Sequence, residues 1–160
     1  MTVDTTAPSA PLFTSLDGDV TLPYVTPDTT PDVVVQTTVG DSISITGWTC
    51  TPTPAVGATV TCTPVAPVSP DGLKTYAVYA TDPAGNVSVD STLTFTLDAT
   101  DPILVTAVVD GTTLTLTYDE TLNSSSVPLT TDFVVSGKIV TGVTVAGLTV
   151  VLTLTPGAVV

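Results

Sequence analysis

The chain contains no histidine and no arginine, only two lysines, Lys74 and Lys138, and a single glutamate, Glu120. Each absence removes a class of chemistry. Without imidazole there is no side chain whose ordinary titration falls near neutrality, and no histidine ligand for a transition metal. Without guanidinium there is no planar fork for a phosphate or a carboxylate. Two cations in 160 residues cannot replace the counterions of a nucleic acid, so nucleic acid is not expected as a partner. Long apolar runs are missing as well, because 14 prolines and 11 glycines interrupt them. Nothing approaches the ~20 residues of a spanning helix, and no membrane insertion is expected.

The remaining composition points in one direction. The acidic residues number 15, the net charge is −13, and all but Glu120 are aspartates. Aspartate favours turns and caps where glutamate favours helices, so the charge is expected in turns. Threonine and valine dominate the rest, and both are β-branched and suited to a pleated, half-buried surface. With 42% hydrophobic residues in strand-like runs, the chain can bury a core rather than remain disordered. The expected class is all-β.

The N-terminus shows neither a basic stretch nor an apolar stretch of a secretory leader. Two expectations follow: a piece of something longer, or a protein that leaves its cell by another route, such as a virus particle released by lysis.

A repeated joint organises the chain. Val3-Asp4-Thr5-Thr6-Ala7-Pro8 returns as Leu97-Asp98-Ala99-Thr100-Asp101-Pro102, an offset about the size of one sandwich domain. The expected boundary lies near residue 100, giving domains 1–100 and 101–160. In the first, strands are predicted over 33–39, 42–50, 58–63, 73–81 and 87–97, with another within 12–25 that turns at Asp17-Gly18-Asp19. Along 73–79, Lys74, Tyr76 and Val78 share one face and Leu73, Thr75, Ala77 and Tyr79 the other. In the second, strands are predicted over 103–109, 113–118, 132–136, 139–146 and 148–155. Asp110-Gly111 is the strong hairpin signal there, with Ala146-Gly147 and Gly137-Lys138 weaker. Five strands alone make a thin core, and the chain stops on an apolar end, 156–160.

Residues 4–100 resemble the immunoglobulin-like repeats of bacterial surface adhesins. The likeness is carried by Asp4-Thr5-Thr6-Ala7-Pro8, Gly57-Ala58-Thr59-Val60-Thr61 and the run from Tyr76 to Ser88, with Ala80-Thr81-Asp82-Pro83-Ala84-Gly85-Asn86 at its centre. Residues 101–160 are similar to the first part of the SwmB-type repeat of cyanobacterial motility and adhesin proteins, through 110–120, 122–128 and Asp132-Phe133-Val134. The later strands of that repeat are absent. The resemblance therefore implies an immunoglobulin-like β-sandwich followed by a smaller, incomplete β domain, either closed by a partner strand or cut from a longer repeat.

Cys50 and Cys62 sit in near-identical settings, Thr49-Cys50-Thr51-Pro52 and Thr61-Cys62-Thr63-Pro64. Two strand cysteines can pair across a hairpin or between sheets, or remain free core thiols. A bridge would close a loop of about 13 residues, worth on the order of 3 kcal/mol, and would imply a setting outside a reducing cytosol. Two thiolates without histidine leave a zinc shell half filled.

In the resembling repeats, joint aspartates hold calcium and stiffen the array. By position in the motif this reaches Asp82, Asn86, Asp98 and Asp101, with Asp4 beside them and Asp17 and Asp19 as a separate turn. Calcium seeks six to eight hard oxygens. The alternative is that Asp82 and Asn86 close a turn through their own hydrogen bonds and the linker aspartates are solvated.

No catalytic set emerges. Asp119 and Glu120 are adjacent, and on a strand they would face opposite ways. Ser124, Ser125 and Ser126 have no marked base, and nothing pairs Lys74 or Lys138 with an isopeptide partner. Asn86-Val87-Ser88 and Asn123-Ser124-Ser125 match the glycosylation triplet by composition alone. Trp48 and the tyrosines are expected in the core rather than on an aromatic binding face.

These readings converge on a non-enzymatic structural protein on an exterior surface, without a cofactor other than calcium, and with protein partners in an oligomeric or tandem assembly. Three settings remain open: a virion surface component such as a capsid decoration or fibre protein, a tandem-repeat segment of a bacterial adhesin, and a strand-complemented extracellular filament subunit.

Overall fold

Alternating valine and threonine produce strands throughout, and the structure, a computed structural model, describes residues 3–155. Among the described residues there are β-strands, a single 3-10 turn at Thr130–Asp132 and no α-helix. The chain divides into two compact units, Met1–Thr100 and Asp101–Val160.

Unit 1 holds β1 (Leu12–Leu16), β2 (Val25–Thr26), β3 (Val33–Gln36), β4 (Ser42–Ile45), β5 (Trp48–Thr51), β6 (Thr59–Pro64), β7 (Gly72–Thr81) and β8 (Ser91–Leu97). They form two four-stranded sheets, β1-β3-β6-β5 and β2-β8-β7-β4. The inward rows of both sheets meet in one core: Val33, Val35, Val60 and Cys62 from the first, Ile43, Val78, Ala80, Leu93, Phe95 and Leu97 from the second. On β7 the predicted faces hold, with Val78 buried, Lys74 and Tyr76 partly so, and Leu73, Thr75, Ala77 and Tyr79 exposed. Trp48 packs edge-on against Tyr76 at 5.3 Å and against Phe95 at 6.4 Å. The tryptophan thus closes one end of the core, half-buried, and forms no exposed platform.

Two predicted strands are each divided between the sheets. The run 42–50 breaks at Thr46-Gly47, where Gly47 takes φ +83, a conformation that glycine adopts without steric cost. As a result β4 pairs with β7 in one sheet and β5 with β6 in the other. The run 12–25 breaks at Asp17-Gly18, both at positive φ, as a type I′ turn requires. The Leu16 and Asp19 amides and carbonyls close that turn at 2.8 and 2.9 Å, and β2 then joins the opposite sheet, parallel to β8. The strand expected over 87–97 is ordered as β8 only from Ser91, after a single bridge between Thr81 and Val87.

Unit 2 is one sheet, β11-β12-β10-β9, built from β9 (Leu104–Asp110), β10 (Thr113–Tyr118), β11 (Val140–Ala146) and β12 (Thr149–Leu154). The β9–β10 hairpin turns through Gly111-Thr112, because Asp110 faces Thr113. The β11–β12 hairpin turns through Gly147-Leu148, because Ala146 faces Thr149. No strand forms at 132–136. Phe133 and Val135 still point inward and Val134 outward, at 98% exposure, but this stretch lies over the sheet's apolar face and has no neighbouring strand to pair with. It covers Leu114, Leu116, Val143, Val145, Val150 and Leu152. The predicted apolar end at 156–160 lies outside the described residues.

The cover does not reach β9, all seven residues of which are exposed. Phe95→Ala should therefore cost about 3–5 kcal/mol in denaturant unfolding, whereas Leu104→Ala on β9 should cost no more than about 0.5 kcal/mol. Equal losses would contradict this account of where the core lies.

Candidate functional site

Cys50 on β5 stands directly opposite Cys62 on β6, and the two sulfurs are bonded. The bridge joins neighbouring strands of one sheet rather than the two sheets. Cys62 is fully buried and Cys50 nearly so, within the core that Val33 and Val60 share, so reductant can reach the bond only when the strands open.

Several of the acidic residues are tied to backbone. Asp4, Asp19, Asp28 and Asp82 each accept the amide two residues ahead, from Thr6, Thr21, Thr30 and Ala84, at 2.7 to 3.0 Å. Asp82 does more. Its Oδ1 also accepts the Asn86 amide at 2.8 Å and its Oδ2 the Asn86 side-chain amide at 2.8 Å. These donors, with the Asn86 side chain foremost, hold the Asp82 carboxyl below the ordinary aspartate value of 3.8. Asn86 reaches on to the Asp4 carbonyl at 3.3 Å, pinning the incoming chain.

The four residues expected around one calcium do not converge within unit 1. Asp82 and Asn86 follow the C-terminal end of β7, beside Asp4. Asp98 follows β8, whose last residue, Leu97, pairs with Gly72 at the other end of β7. Ten residues of strand separate the two ends by about 30 Å. Asp101 lies three residues beyond Asp98, in the next unit. What secures the outgoing joint is Asp71, which sequence reading passed over. Its carboxylate accepts the Ala99 amide at 3.1 Å, the Thr100 amide at 3.0 Å and the Thr100 hydroxyl. The Thr100 hydroxyl, then the Ala99 amide, lower the Asp71 pKa.

A hollow of about 580 Å³ lies in unit 1 between Ser15, Asp17, Thr26, Asp28, Asp32 and Thr61. Its acids are engaged internally. Asp17 accepts the Asp32 amide at 2.8 Å and the Thr26 hydroxyl at 2.6 Å. Asp32 accepts the Thr63 hydroxyl, and Asp28 holds Thr30. No group of three or more histidine, cysteine or acidic residues placed to hold a metal ion occurs among the described residues.

Asp119 and Glu120 lie just past β10, in a bend rather than on a strand. Asp119 accepts the Ile103 amide at 2.8 Å, fastening the start of β9. Asn123 accepts the Ser125 amide at 2.9 Å, so Ser124, Ser125 and Ser126 sit in an exposed turn. The Lys74 ammonium donates to the Pro70 carbonyl. Ser88, within one glycosylation triplet, is buried, and its hydroxyl accepts the Ala80 amide at 2.9 Å.

No helix of the described residues is long and apolar enough to cross a membrane. No family model, no curated protein and no solved structure matches the chain.

Two outcomes follow. Replacing both cysteines by alanine should lower unfolding free energy by about 2–3 kcal/mol, since the bridge no longer restricts the unfolded chain. An unchanged denaturation midpoint would remove the staple from the account. For Asp71 and Asp82 the folded pKa lies below the unfolded one, so their stabilisation is complete above 3.8 and is lost as pH falls through the lower folded values. The melting temperature should thus drop on acidification below about pH 4, and less steeply in Asp71→Asn.

Proposed function

We propose that this protein is a non-enzymatic structural module displayed on an exterior surface, as a virion component such as a capsid decoration or fibre protein. The observation that carries this reading is the buried Cys50–Cys62 bridge inside a two-sheet sandwich, since such staples persist where thiols are not kept reduced. The surface supports it. A net charge of −13 keeps copies soluble and apart, and the carboxylates described above are engaged in holding turns and joints. In that setting the sandwich serves by its rigidity, and its partners are other proteins of the particle.

A second reading, a tandem-repeat segment of a large bacterial surface adhesin, draws on a separate observation. The chain enters unit 1 at Asp4, beside Asn86, and leaves at Asp98, at the opposite end of β7. Modules with entry and exit at opposite ends extend when joined in series. The immunoglobulin-like and SwmB-type resemblances belong to this reading.

Immunogold labelling with an antibody against the folded chain separates the two. Label on the outside of purified virus particles supports the first, label along fibrils of intact cells the second, and label confined to the cytosol overturns both.

A further inference from the structure

We propose that Asp110-Gly111 is a modification site, at which the folded chain isomerises spontaneously to isoaspartate while its two other Asp-Gly pairs are held back. The inference is independent of which exterior setting is correct.

An Asp-Gly pair favours this chemistry because glycine places no side chain in the way of its own amide nitrogen. That nitrogen attacks the carboxyl carbon of the aspartate side chain. A C–N bond forms, and the carboxyl hydroxyl leaves with the amide proton as water. The product is a five-membered succinimide, and water then adds to one of its two carbonyls. Opening at the side-chain carbonyl restores aspartate, whereas opening at the main-chain carbonyl routes the backbone through the side-chain methylene. The water lost in the first step is regained in the second, so the mass is unchanged and no other reactant is consumed.

The chain has three such pairs, Asp17-Gly18, Asp71-Gly72 and Asp110-Gly111. Ring closure needs a carboxyl free to swing onto the following nitrogen and a main chain free to turn toward it. Asp17 has neither freedom. Its Oδ1 accepts the Asp32 amide at 2.8 Å, its Oδ2 the Thr26 hydroxyl at 2.6 Å, and its own amide donates to the Asp32 carbonyl at 2.8 Å. Asp71 is held at both oxygens as well, Oδ1 by the Ala99 amide and Oδ2 by the Thr100 amide and hydroxyl. Those donors favour the ionised carboxylate, which is the poorer electrophile. Gly72 is set in β7 opposite Leu97.

Asp110 has no such restraint. It ends β9, it is exposed, and its carboxylate has no hydrogen-bond or charge partner among the described residues. Gly111 opens the two-residue turn at φ +59, and Asp110 faces Thr113 as the last pair of the ladder. That pair has to open for the ring to close. β9 is an outer strand of its sheet, with β10 as its neighbour, and terminal pairs at an exposed edge open at low cost.

The consequence is local. Isoaspartate at 110 keeps the charge but adds a methylene to the main chain, where a two-residue turn fixes the register of β9 against β10. Exposed along its whole length, β9 has little packing to hold it once that pair is lost.

The test is prolonged incubation of the intact, disulfide-bonded chain at neutral pH, well below its melting temperature. Chymotryptic mapping with fragmentation that distinguishes the two isomers then reads each pair separately. Isoaspartate should accumulate at 110 about tenfold faster than at 17 or 71, where a charge-assisted hydrogen bond must break first. In urea, with the bridge reduced, the three pairs should convert at similar rates, since the fold and not the local sequence sets the difference. Asp110→Glu does not close the five-membered ring, and should abolish the product there with the melting temperature unchanged. Amide exchange in the converted chain should be faster at the β9–β10 turn and unchanged in unit 1. Conversion at Asp17 or Asp71 as fast as at Asp110 in the folded chain, or none at Asp110 while the unfolded chain converts there, would overturn the assignment. Unaltered exchange at the turn would overturn the effect on the hairpin.

Discussion

A strand must satisfy two demands at once: one row of its side chains has to leave water, and its backbone groups on both sides need partners. Unit 1 meets both by splitting its strands between two sheets that cover each other. Among the described residues, unit 2 meets the first with a single sheet and a loop laid over it, and β9, at one edge of that sheet, stays exposed along its length. That difference separates a sandwich whose two sheets cover each other from a single sheet covered by a loop.

The aspartates belong to the same economy of backbone groups. Where the chain leaves a strand, amides lose their ladder partners, and at three such places a short carboxylate takes them up: Asp82 at the 82–86 turn, Asp71 at the exit of unit 1, Asp119 at the start of β9. A carboxylate accepting amide hydrogens is a stronger acceptor than water-exposed alternatives, which is why so many can be tolerated with only two cations in the chain. The charge is a by-product of turn-making and also the source of mutual repulsion between copies.

Much of this was legible in the residues. Period-two alternation places β6, β7, β10, β11 and β12 close to their observed bounds, and the Asp-Gly and Ala-Gly hairpins follow from turn chemistry. Two kinds of feature were not. A strand that changes sheets, as at Gly47, shifts the phase of its alternation, from Ile43 and Ile45 to Trp48 and Cys50, but the shift does not name the neighbour that each half will choose. An alternating stretch such as 133–135 can pack one row inward with no ladder at all, because burial sets the pattern and pairing needs a neighbour that sequence does not name. The candidate site suffered from the same blindness. Asp82, in the 80–86 turn, and Asp98, in the repeated joint, are grouped only by motif, and the antiparallel course of β7 and β8 sends them to opposite ends. Asp71 has no motif to mark it.

The cysteine bridge also limits how far the protein can be drawn out under force. A pull applied through the two ends of unit 1 could unravel the sandwich, but the residues between Cys50 and Cys62, a separation of 12 positions, would stay looped. That withholds about 40 Å of contour length, so a tether built from this chain would be shorter at full extension, and would go taut sooner, than its residue count suggests.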